Sequence, residues 1–336
     1  MLDAAAVAQR LGLGEAHRPW LGDLVAAGPP PEPLRLPTAA AAEAQLLRLG
    51  ATALDASEAA AALPSAADPE LRWLLERCWS RLLQTMGRPE LGLPDWPALP
   101  PELGAPGRFL PVHAFLAAEP AVRAWHGAHG VPPEATAETL GSLGRALAIH
   151  RRRQGVPGVF ELNWMRLPFR ACLFELGRLQ YTPYRLAAGG RWWSEQEAAR
   201  LGPGFRPGDA TVGLHIPASG PLLAEACDAS LVRARALFGA PGPFGPCRIA
   251  TCGSWLLDEQ LSGLLPETSN ILRFQRRFQL LAGGGDADGS VLSFVFHRDH
   301  AVPLEHLPQG TTLERGAVRH WRAGGHFRSR SGWLRL

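Results

Sequence analysis

The segment from residue 209 to residue 239, DATVGLHIPASGPLLAEACDASLVRARALFG, restricts the possible folds more than any other part of the chain. Its first residues are apolar with small or polar ones between them, a pattern that predicts a strand. Pro217, Gly220 and Pro221 then indicate a turn, and the following residues predict a helix that ends at Gly239. A strand that leads through a short turn into a helix is typical of folds that layer helices on a sheet.

The chain changes in character near residue 155. Upstream residues favour helices interrupted by proline-rich connectors, whereas downstream residues alternate strand-forming and helix-forming segments. The predicted downstream order is strand, strand, helix, strand, helix, strand, helix, strand. This order indicates an α/β (α+β) class, a mixed twisted sheet flanked by helices. We predict a mainly helical N-terminal domain over residues 1–157 and a sheet domain over residues 158–336. The predicted strands lie within residues 170–186, 209–217, 247–257, 289–298 and 326–336.

All 34 basic residues are arginine, because the chain contains no lysine. A P-loop protein, a protein kinase and a pyridoxal-phosphate enzyme each require a lysine, so these classes are excluded. The net charge of +3 over 336 residues, without a block of basic residues, argues against nucleic-acid binding. The abundance of alanine, glycine, proline and arginine is typical of GC-rich genomes, so we expect a bacterial origin.

Five cysteines at irregular spacing, without a CxxC pair, indicate a reducing compartment and no disulfide framework. No uncharged apolar run approaches about 20 residues, so we expect no membrane span. The N-terminal residues lack the basic and apolar blocks of a signal peptide, and we therefore expect a cytoplasmic protein. His126 and His129 are spaced as half a metal site, but no third ligand follows, and no metal is predicted.

Four segments of the second half are informative together: FELGRLQY (174–181), LHIPASGPL (214–222), SWLLDEQLSGLLPETSNILRFQRRFQL (254–280) and FVFHRD (294–299). With these segments the chain resembles the GNAT superfamily of acyltransferases. In particular it resembles the bacterial proteins that join an N-acyltransferase N-terminal domain to a GNAT-like C-terminal domain.

The resemblance implies that the fourth strand of a twisted sheet separates from the fifth and that the pantetheine arm of an acyl thioester lies in the gap. It also implies that the donor's diphosphate binds at the turn between the fourth strand and the next helix. In the family this turn has Gln or Arg followed by spaced glycines, whereas this chain has IPASGPL. The departure leaves open whether the donor is a CoA thioester or an acyl carrier protein, which presents the same arm with fewer phosphates.

Transfer of an acyl group to an amine needs a base, and two residues are candidates. An imidazole titrates near pH 6.5, and alternation along the strand puts His215 beside Gly213, on the face opposite Leu214. The alternative interpretation of His215 is structural, a histidine that holds the strand end by a backbone hydrogen bond. Glu175 is a carboxylate in an apolar strand, so it is either paired with an arginine or functional. Alternation puts it on one face with Tyr181.

Contacts with the donor are predicted at the turn and at later positions. Backbone N–H groups at a helix start bind phosphate. Arg178 is interpreted either as the partner of a carboxylate or as a contact for an anion. The resemblance makes Ser254, after the third strand, the candidate that protonates the leaving thiolate. Asn270 either caps a helix or hydrogen-bonds the pantetheine amides. The turn residues predicted to bind the donor are Ile216, Ser219, Gly220 and Leu222.

The sequence therefore predicts an N-acyltransferase that moves an acyl group from a pantetheine thioester, on CoA or on an acyl carrier protein, to the amine of a small molecule or peptide. The alternative is a module that binds acyl-CoA or a carrier protein without catalysis, because a fold alone does not fix a function. A serine or cysteine hydrolase centred on CGSW (252–255) is not supported, because the chain lacks a G-x-S-x-G motif.

Overall fold

The computed structural model describes residues 2–30, 32–187, 193–281, 283–298 and 300–336. Asp299, the last residue of the FVFHRD segment, lies outside the described residues. The chain forms two compact units, Met1–Phe174 and Glu175–Leu336.

The division between the compact units lies downstream of residue 157, where the sequence places the domain boundary. Residues that follow 157 belong to the helical unit because they pack within it. The ring of Phe169 stacks on that of Phe115 with centroids 4.5 Å apart. The backbone N–H of Phe160 donates to the carbonyl of Ala146. Both contacts join residues distant in the sequence, so local composition gives no sign of them.

The N-terminal unit is helical, as predicted. The segment Pro69–Gln84 shows why: proline occupies the first helical position, and apolar residues at three- and four-residue spacing form one buried face. None of the helices in the described residues is long and apolar enough to cross a membrane. The helices of this unit are α1 Ala4–Arg10, α2 Arg18–Ala27, α3 Ala39–Arg48, α4 Ala53–Ala61, α5 Pro69–Gln84, α6 Gly104–Ala128, α7 Pro133–Gln154 and α8 Leu162–Met165.

The C-terminal unit contains a mixed sheet of seven strands. The strands are β1 Phe174–Leu176, β2 Leu179–Arg185, β3 Ala210–His215, β4 Ile249–Ser254, β5 Gln279–Leu280, β6 Gly285–Asp286 and β7 Arg328–Arg335. Their order is β1-β2-β3-β4-β7-β5, and β6 also pairs with β7. β3 and β4 are parallel, whereas β2 is antiparallel to β3 and β4 is antiparallel to β7. The helices are α9 Glu195–Leu201, α10 Ala224–Phe238, α11 Asn270–Gln275, α12 Asp288–Phe296 and α13 Thr312–Arg322.

The single strand predicted over residues 170–186 is wrong, because the chain reverses within it. β1 and β2 are joined by a turn at Gly177, whose φ of 77° is readily adopted only by glycine. The predicted Thr-Pro turn lies inside β2, with Pro183 opposite Val212 of β3. β1 is only three residues long, so in the described residues it stops short of Pro183, and the missing proline N–H is tolerated at such an edge position.

The strand predicted over residues 289–298 is also wrong, because this segment forms α12. The carboxylate of Asp288, at the start of the helix, accepts hydrogen bonds from the Trp321 indole (2.7 Å) and the Phe327 N–H (2.9 Å). The apolar residues Val291 and Phe296 turn inward to a core shared with α13. A short apolar run fits a buried strand and a buried helix equally, and here tertiary packing decides for the helix.

Helix α10 covers one face of the sheet. The hydroxyl of Tyr181 on β2 hydrogen-bonds with Ser230 Oγ of α10 at 3.0 Å, and its ring centroid lies 6.1 Å from that of Phe238. Val212 and Leu214 of β3 are buried as well, and the register with β2 places them on this same face. The α10 face of the sheet is therefore apolar core, as the predicted alternation of β3 requires.

Candidate active site

The parallel strands β3 and β4 pair over only part of their length. Their ladder contains two pairs of residues, and it ends at Gly213 with Thr251. β3 nevertheless continues to His215, paired with β2 on its other side, and β4 continues to Ser254, paired with β7. Beyond Gly213 and Thr251 the two strands form no further pairs with each other in the described residues, while each remains in the sheet. We call this stretch beside His215, where the β3–β4 pairing ends, the gap.

The face of the sheet opposite α10 has polar side chains on the four adjacent strands β1 to β4. On β2 the polar side chains occupy every second position. The β2–β3 register places the side chains of Thr211 and His215 on β3 on the same face, opposite those of β2. The Tyr184 hydroxyl hydrogen-bonds with Thr251 Oγ1 at 2.6 Å, which extends the row to β4. Buried polar groups cost free energy unless they are paired, so such a row indicates a functional surface. We call it the polar face; its residues are Glu175, Gln180, Thr182, Tyr184, Thr211, Gly213, His215 and Thr251.

His215 lies on the polar face at the edge of the gap. Its Nε2 lies 2.8 Å from Thr182 Oγ1, a hydrogen bond between neighbouring strands. Burial of the ring lowers the pKa of His215 to about 4, because desolvation disfavours the charged form. The imidazole is therefore neutral at pH 7, which is the form that can accept a proton from an amine.

Gly213 leaves the space that the hydrogen bond between His215 and Thr182 occupies. A methyl group at Gly213 would lie 2.7 Å from Thr182 Oγ1 and 3.1 Å from His215 Nε2. This proximity also places Gly213 and His215 on one face, as alternation predicted. The glycine is thus required by close packing and not by an unusual backbone conformation.

We expect Gly213→Ala to break this hydrogen bond, because Thr182 must rotate away to accept the methyl group. Stability should fall by about 1–2 kcal/mol, the usual cost of overpacking. Acyl transfer should fall by about tenfold or more as the imidazole loses its orientation. Steady-state kinetics and urea unfolding measure both effects. Gly285→Ala in β6 is the matched control, since a methyl there meets no described atom within 4 Å. Equal behaviour of the two variants would contradict the prediction.

Glu175 lies on the polar face beside Gln180, and not on the face with Tyr181 that alternation predicted. Gln180 Nε2 donates to Glu175 Oε2 at 2.8 Å. The turn at Gly177 reverses the chain between these residues, so counting along one continuous strand assigned the wrong face. Glu175 is buried, and the amide donor offsets part of its desolvation. Both candidate bases therefore belong to one surface of the sheet.

The turn formed by residues 216–223 joins β3 to α10. The guanidinium of Arg178 donates to three of its carbonyl groups, so Arg178 is a partner of the backbone here. In the described part of the chain, the N–H groups of Ser219, Gly220 and Leu222 donate to no protein acceptor. α10 begins at Ala224 without a side-chain cap. N–H groups just before a helix start that donate to no protein acceptor are available to an anion, and a contact of this turn with the donor's diphosphate stays a prediction.

Ser254 is the last residue of β4, and Asn270 is the first residue of α11. The Ser254 hydroxyl accepts a hydrogen bond from the Leu256 N–H (3.1 Å), and alternation from Thr251 puts Ser254 on the α10 side of β4. The capping interpretation of Asn270 is wrong, because the side chain of Ser269 accepts from the backbone and caps α11. Asn270 is the first helical residue instead. Its contact with pantetheine stays a prediction.

Residues of the polar face other than the two bases were missed in the sequence. Gln180, Thr182 and Tyr184 are polar at every second position of one short segment, which is a usable signal for a two-faced strand. The interpretation of Thr182 and Pro183 as a turn concealed that signal. The pairing of Tyr184 with Thr251 joins distant strands, and no local pattern indicates it.

Known proteins match both parts of the chain. Residues 40–171 match the N-acyltransferase N-terminal domain family, and residues 173–334 match the GNAT-like C-terminal domain family. The chain is similar to an acyltransferase crystallised in complex with decanoyl-CoA, with 40% identity and a TM-score of 0.87. It is also similar to an acyltransferase in complex with decanoyl-CoA and teicoplanin (40%, TM-score 0.86) and to an acyltransferase mutant in complex with octanoyl-CoA (38%, TM-score 0.87). Each comparison covers 100% of both chains. A comparison with curated proteins gave no match.

The matches agree with the geometry. Two domain families follow each other in the predicted order, and the structural similarity extends over the whole chain. Full-length identity of 40% to acyltransferases favours the enzyme over the non-catalytic binding module. The gap between β3 and β4 lies within the matched GNAT-like domain. The chain therefore belongs to the family of acyltransferases that join an N-acyltransferase N-terminal domain to a GNAT-like C-terminal domain.

Proposed function

We propose that this N-acyltransferase transfers a medium-chain acyl group from a CoA thioester to an amine of a teicoplanin-like small molecule, with His215 as the base. The observation that supports this most is the end of the β3–β4 ladder beside His215. Unpaired backbone groups on two facing strand edges can hydrogen-bond an extended, amide-containing chain such as pantetheine. The related structures contain decanoyl-CoA, octanoyl-CoA, teicoplanin or 10C-teicoplanin, which supports these donor and acceptor classes.

The turn after β3 supports CoA over a carrier protein as the donor. Three N–H groups, those of Ser219, Gly220 and Leu222, are available for an anion. CoA brings a diphosphate to this position, whereas a carrier protein brings one phosphate. In this proposal Ile216 and Asn270 contact the pantetheine arm. A cytoplasmic location in a bacterium, where acyl-CoA is made, is part of the same proposal.

The proposed reaction forms a C–N bond and breaks a C–S bond. The neutral imidazole of His215 removes a proton from the attacking amine, and Glu175 is the competing candidate for this task. Backbone N–H groups on the unpaired strand edges polarise the thioester carbonyl. Ser254 stays the candidate that protonates the leaving thiolate. Its Oγ accepts from the Leu256 N–H, which leaves its own hydroxyl proton free to be donated. Because Ser254 lies on the α10 side of β4, opposite the face of His215, we propose that the proton passes through water. Solvent then returns a proton to Ser254 and accepts the one that His215 took from the amine.

An assay of thiol release from decanoyl-CoA, octanoyl-CoA and acetyl-CoA tests this function. Each thioester is combined with a panel of amines that includes teicoplanin, and mass spectrometry identifies the acylated product. We expect amine-dependent release with the two longer donors. Transfer that is faster from a decanoyl carrier protein than from decanoyl-CoA would overturn the choice of donor. A thermal shift with decanoyl-CoA, without amine-dependent release for any acceptor, would restore the binding module.

A further inference from the structure

Arg178 connects two distant parts of the C-terminal unit. It follows Gly177 in the turn between β1 and β2, and the hydrogen bonds of its guanidinium within the described residues go to the turn after β3. Nε donates to the Pro221 carbonyl at 3.0 Å, Nη1 to that of Pro217 at 3.1 Å, and Nη2 to that of Gly220 at 2.7 Å. All three guanidinium nitrogens are thus used on a single turn.

The guanidinium of Arg178 hydrogen-bonds neutral groups. Within the described residues Arg178 forms no salt bridge, and the acceptors of its hydrogen bonds are carbonyl groups. Desolvation lowers its pKa, while Cys227 and Glu175 act in the opposite direction, so Glu175 offsets part of its charge without contacting it. A partly buried guanidinium with no carboxylate in contact adds positive potential at the turn, which favours an anionic ligand.

The geometry of the peptide bond determines where the N–H groups of the turn point. In a trans peptide the N–H is antiparallel to the carbonyl of the preceding residue, and the described chain contains no cis peptide. Because the carbonyls of Pro217 and Pro221 point to Arg178, the N–H groups of Ala218 and Leu222 point away from it. Of the three N–H groups available to an anion, Arg178 thus orients that of Leu222 directly and the other two only through the shape of the turn. The same contacts withdraw carbonyl oxygens that would repel a phosphate.

From these contacts we infer that Arg178 is a positioning residue for the donor: it holds the turn in the shape in which the Leu222 N–H, directly oriented by Arg178, faces the diphosphate of CoA together with the N–H groups of Ser219 and Gly220. The inference rests on the proposed CoA donor and deepens it. Arg178 contacts the backbone and not the reacting atoms, so it acts on donor binding through the turn. This role also explains how the turn can bind CoA without the spaced glycines of the family.

Comparison of decanoyl-CoA with decanoyl-pantetheine, which lacks the diphosphate, isolates this role. We expect Arg178→Met to lower kcat/KM for decanoyl-CoA by about 30-fold, the size expected for lost charge-assisted hydrogen bonds. For decanoyl-pantetheine we expect a change below about threefold, because the missing contacts serve the diphosphate. Arg178→Lys keeps the charge but not the fork of donors, and should lie between Met and wild type. Arg235→Met, at an exposed arginine of α10, is the matched control.

The two donors also separate the ways in which the inference can fail. Activity with decanoyl-pantetheine shows that the variant is folded. An equal loss with both donors would mean that Arg178 only stabilises the fold, and no loss with either would mean that it is dispensable; both overturn the inference. If the wild-type enzyme prefers decanoyl-CoA to decanoyl-pantetheine and the variant keeps this preference in full, the role of Arg178 is refuted and the proposed CoA donor stands. If wild-type enzyme uses both donors equally, the proposed CoA donor and the role of Arg178 fail together.

Discussion

We expect His215→Ala to lower kcat/KM by about 10² to 10⁴, the range measured for removal of a general base. The reason is that no other described group of the polar face combines a neutral imidazole with a position beside the gap. Because the pKa of His215 is lowered to about 4, the imidazole is already neutral through the physiological range. The rise of kcat/KM with pH should therefore follow deprotonation of the acceptor amine, and the pH–rate profile measures this.

The control for this variant is His306→Ala, at an exposed position in the C-terminal unit. It should retain activity, and both variants should keep the circular dichroism spectrum of the wild type. Glu175→Ala decides between the two bases. A larger loss for Glu175→Ala than for His215→Ala, at equal stability and saturating amine, would transfer the role of base to Glu175. Full activity of both variants would leave the proposed mechanism without a base.

Acid should destabilise the protein between pH 6.5 and pH 4 through its buried histidines. His113 and His126 are fully buried, and desolvation lowers the pKa of each to about 4. Below pH 6.5 the unfolded chain binds protons at these residues while the folded chain does not, so stability falls with pH until the folded histidines are protonated. Each shift corresponds to a loss of up to about 3 kcal/mol at the acid end. The pKa of His215 is lowered by burial as well, so this residue also lowers the stability of the folded chain as the pH falls.

Urea unfolding followed by tryptophan fluorescence, at pH values from 7.5 to 4, measures this loss. The variant His126→Gln cannot be protonated and retains a side-chain donor and acceptor near Thr136, the hydrogen-bond partner of His126. We expect it to show a shallower dependence on pH than the wild type. His306→Gln serves as the exposed control and should follow the wild type. A stability that stays constant from pH 6.5 to pH 4.5 would contradict the prediction.

The features predicted correctly are those governed by local patterns. Helix α5 and strand β3 are regular, so the periodicity of their side chains was sufficient to predict both elements. Gly213 and His215 share a face of β3, as expected. The helical N-terminal unit follows from composition. The expectation that two strands separate beside His215 came from the family resemblance alone, because no residue pattern along either strand shows where a ladder ends; the short β3–β4 ladder agrees with it.

The errors arose where distant parts of the chain decide the structure. One glycine, Gly177, reverses the strand and moves Glu175 to the polar face. α12 is a helix because Asp288 accepts hydrogen bonds from residues more than 30 positions away. The same holds for Tyr184 and Thr251, whose hydrogen bond links β2 to β4. Such pairings require the topology of the sheet, which a single sequence does not contain.

The short ladder between β3 and β4 has a consequence for folding as well as for catalysis. Beyond their short ladder, the facing edges of β3 and β4 form no pairs with each other in the described residues, whereas the interior strands of most sheets pair along both edges. A thioester bound between these edges, as we propose, would add hydrogen bonds there and connect the two halves of the sheet. The conformational stability of the enzyme should thus increase with the supply of its own donor, so that a cell starved of acyl-CoA holds a less robust protein.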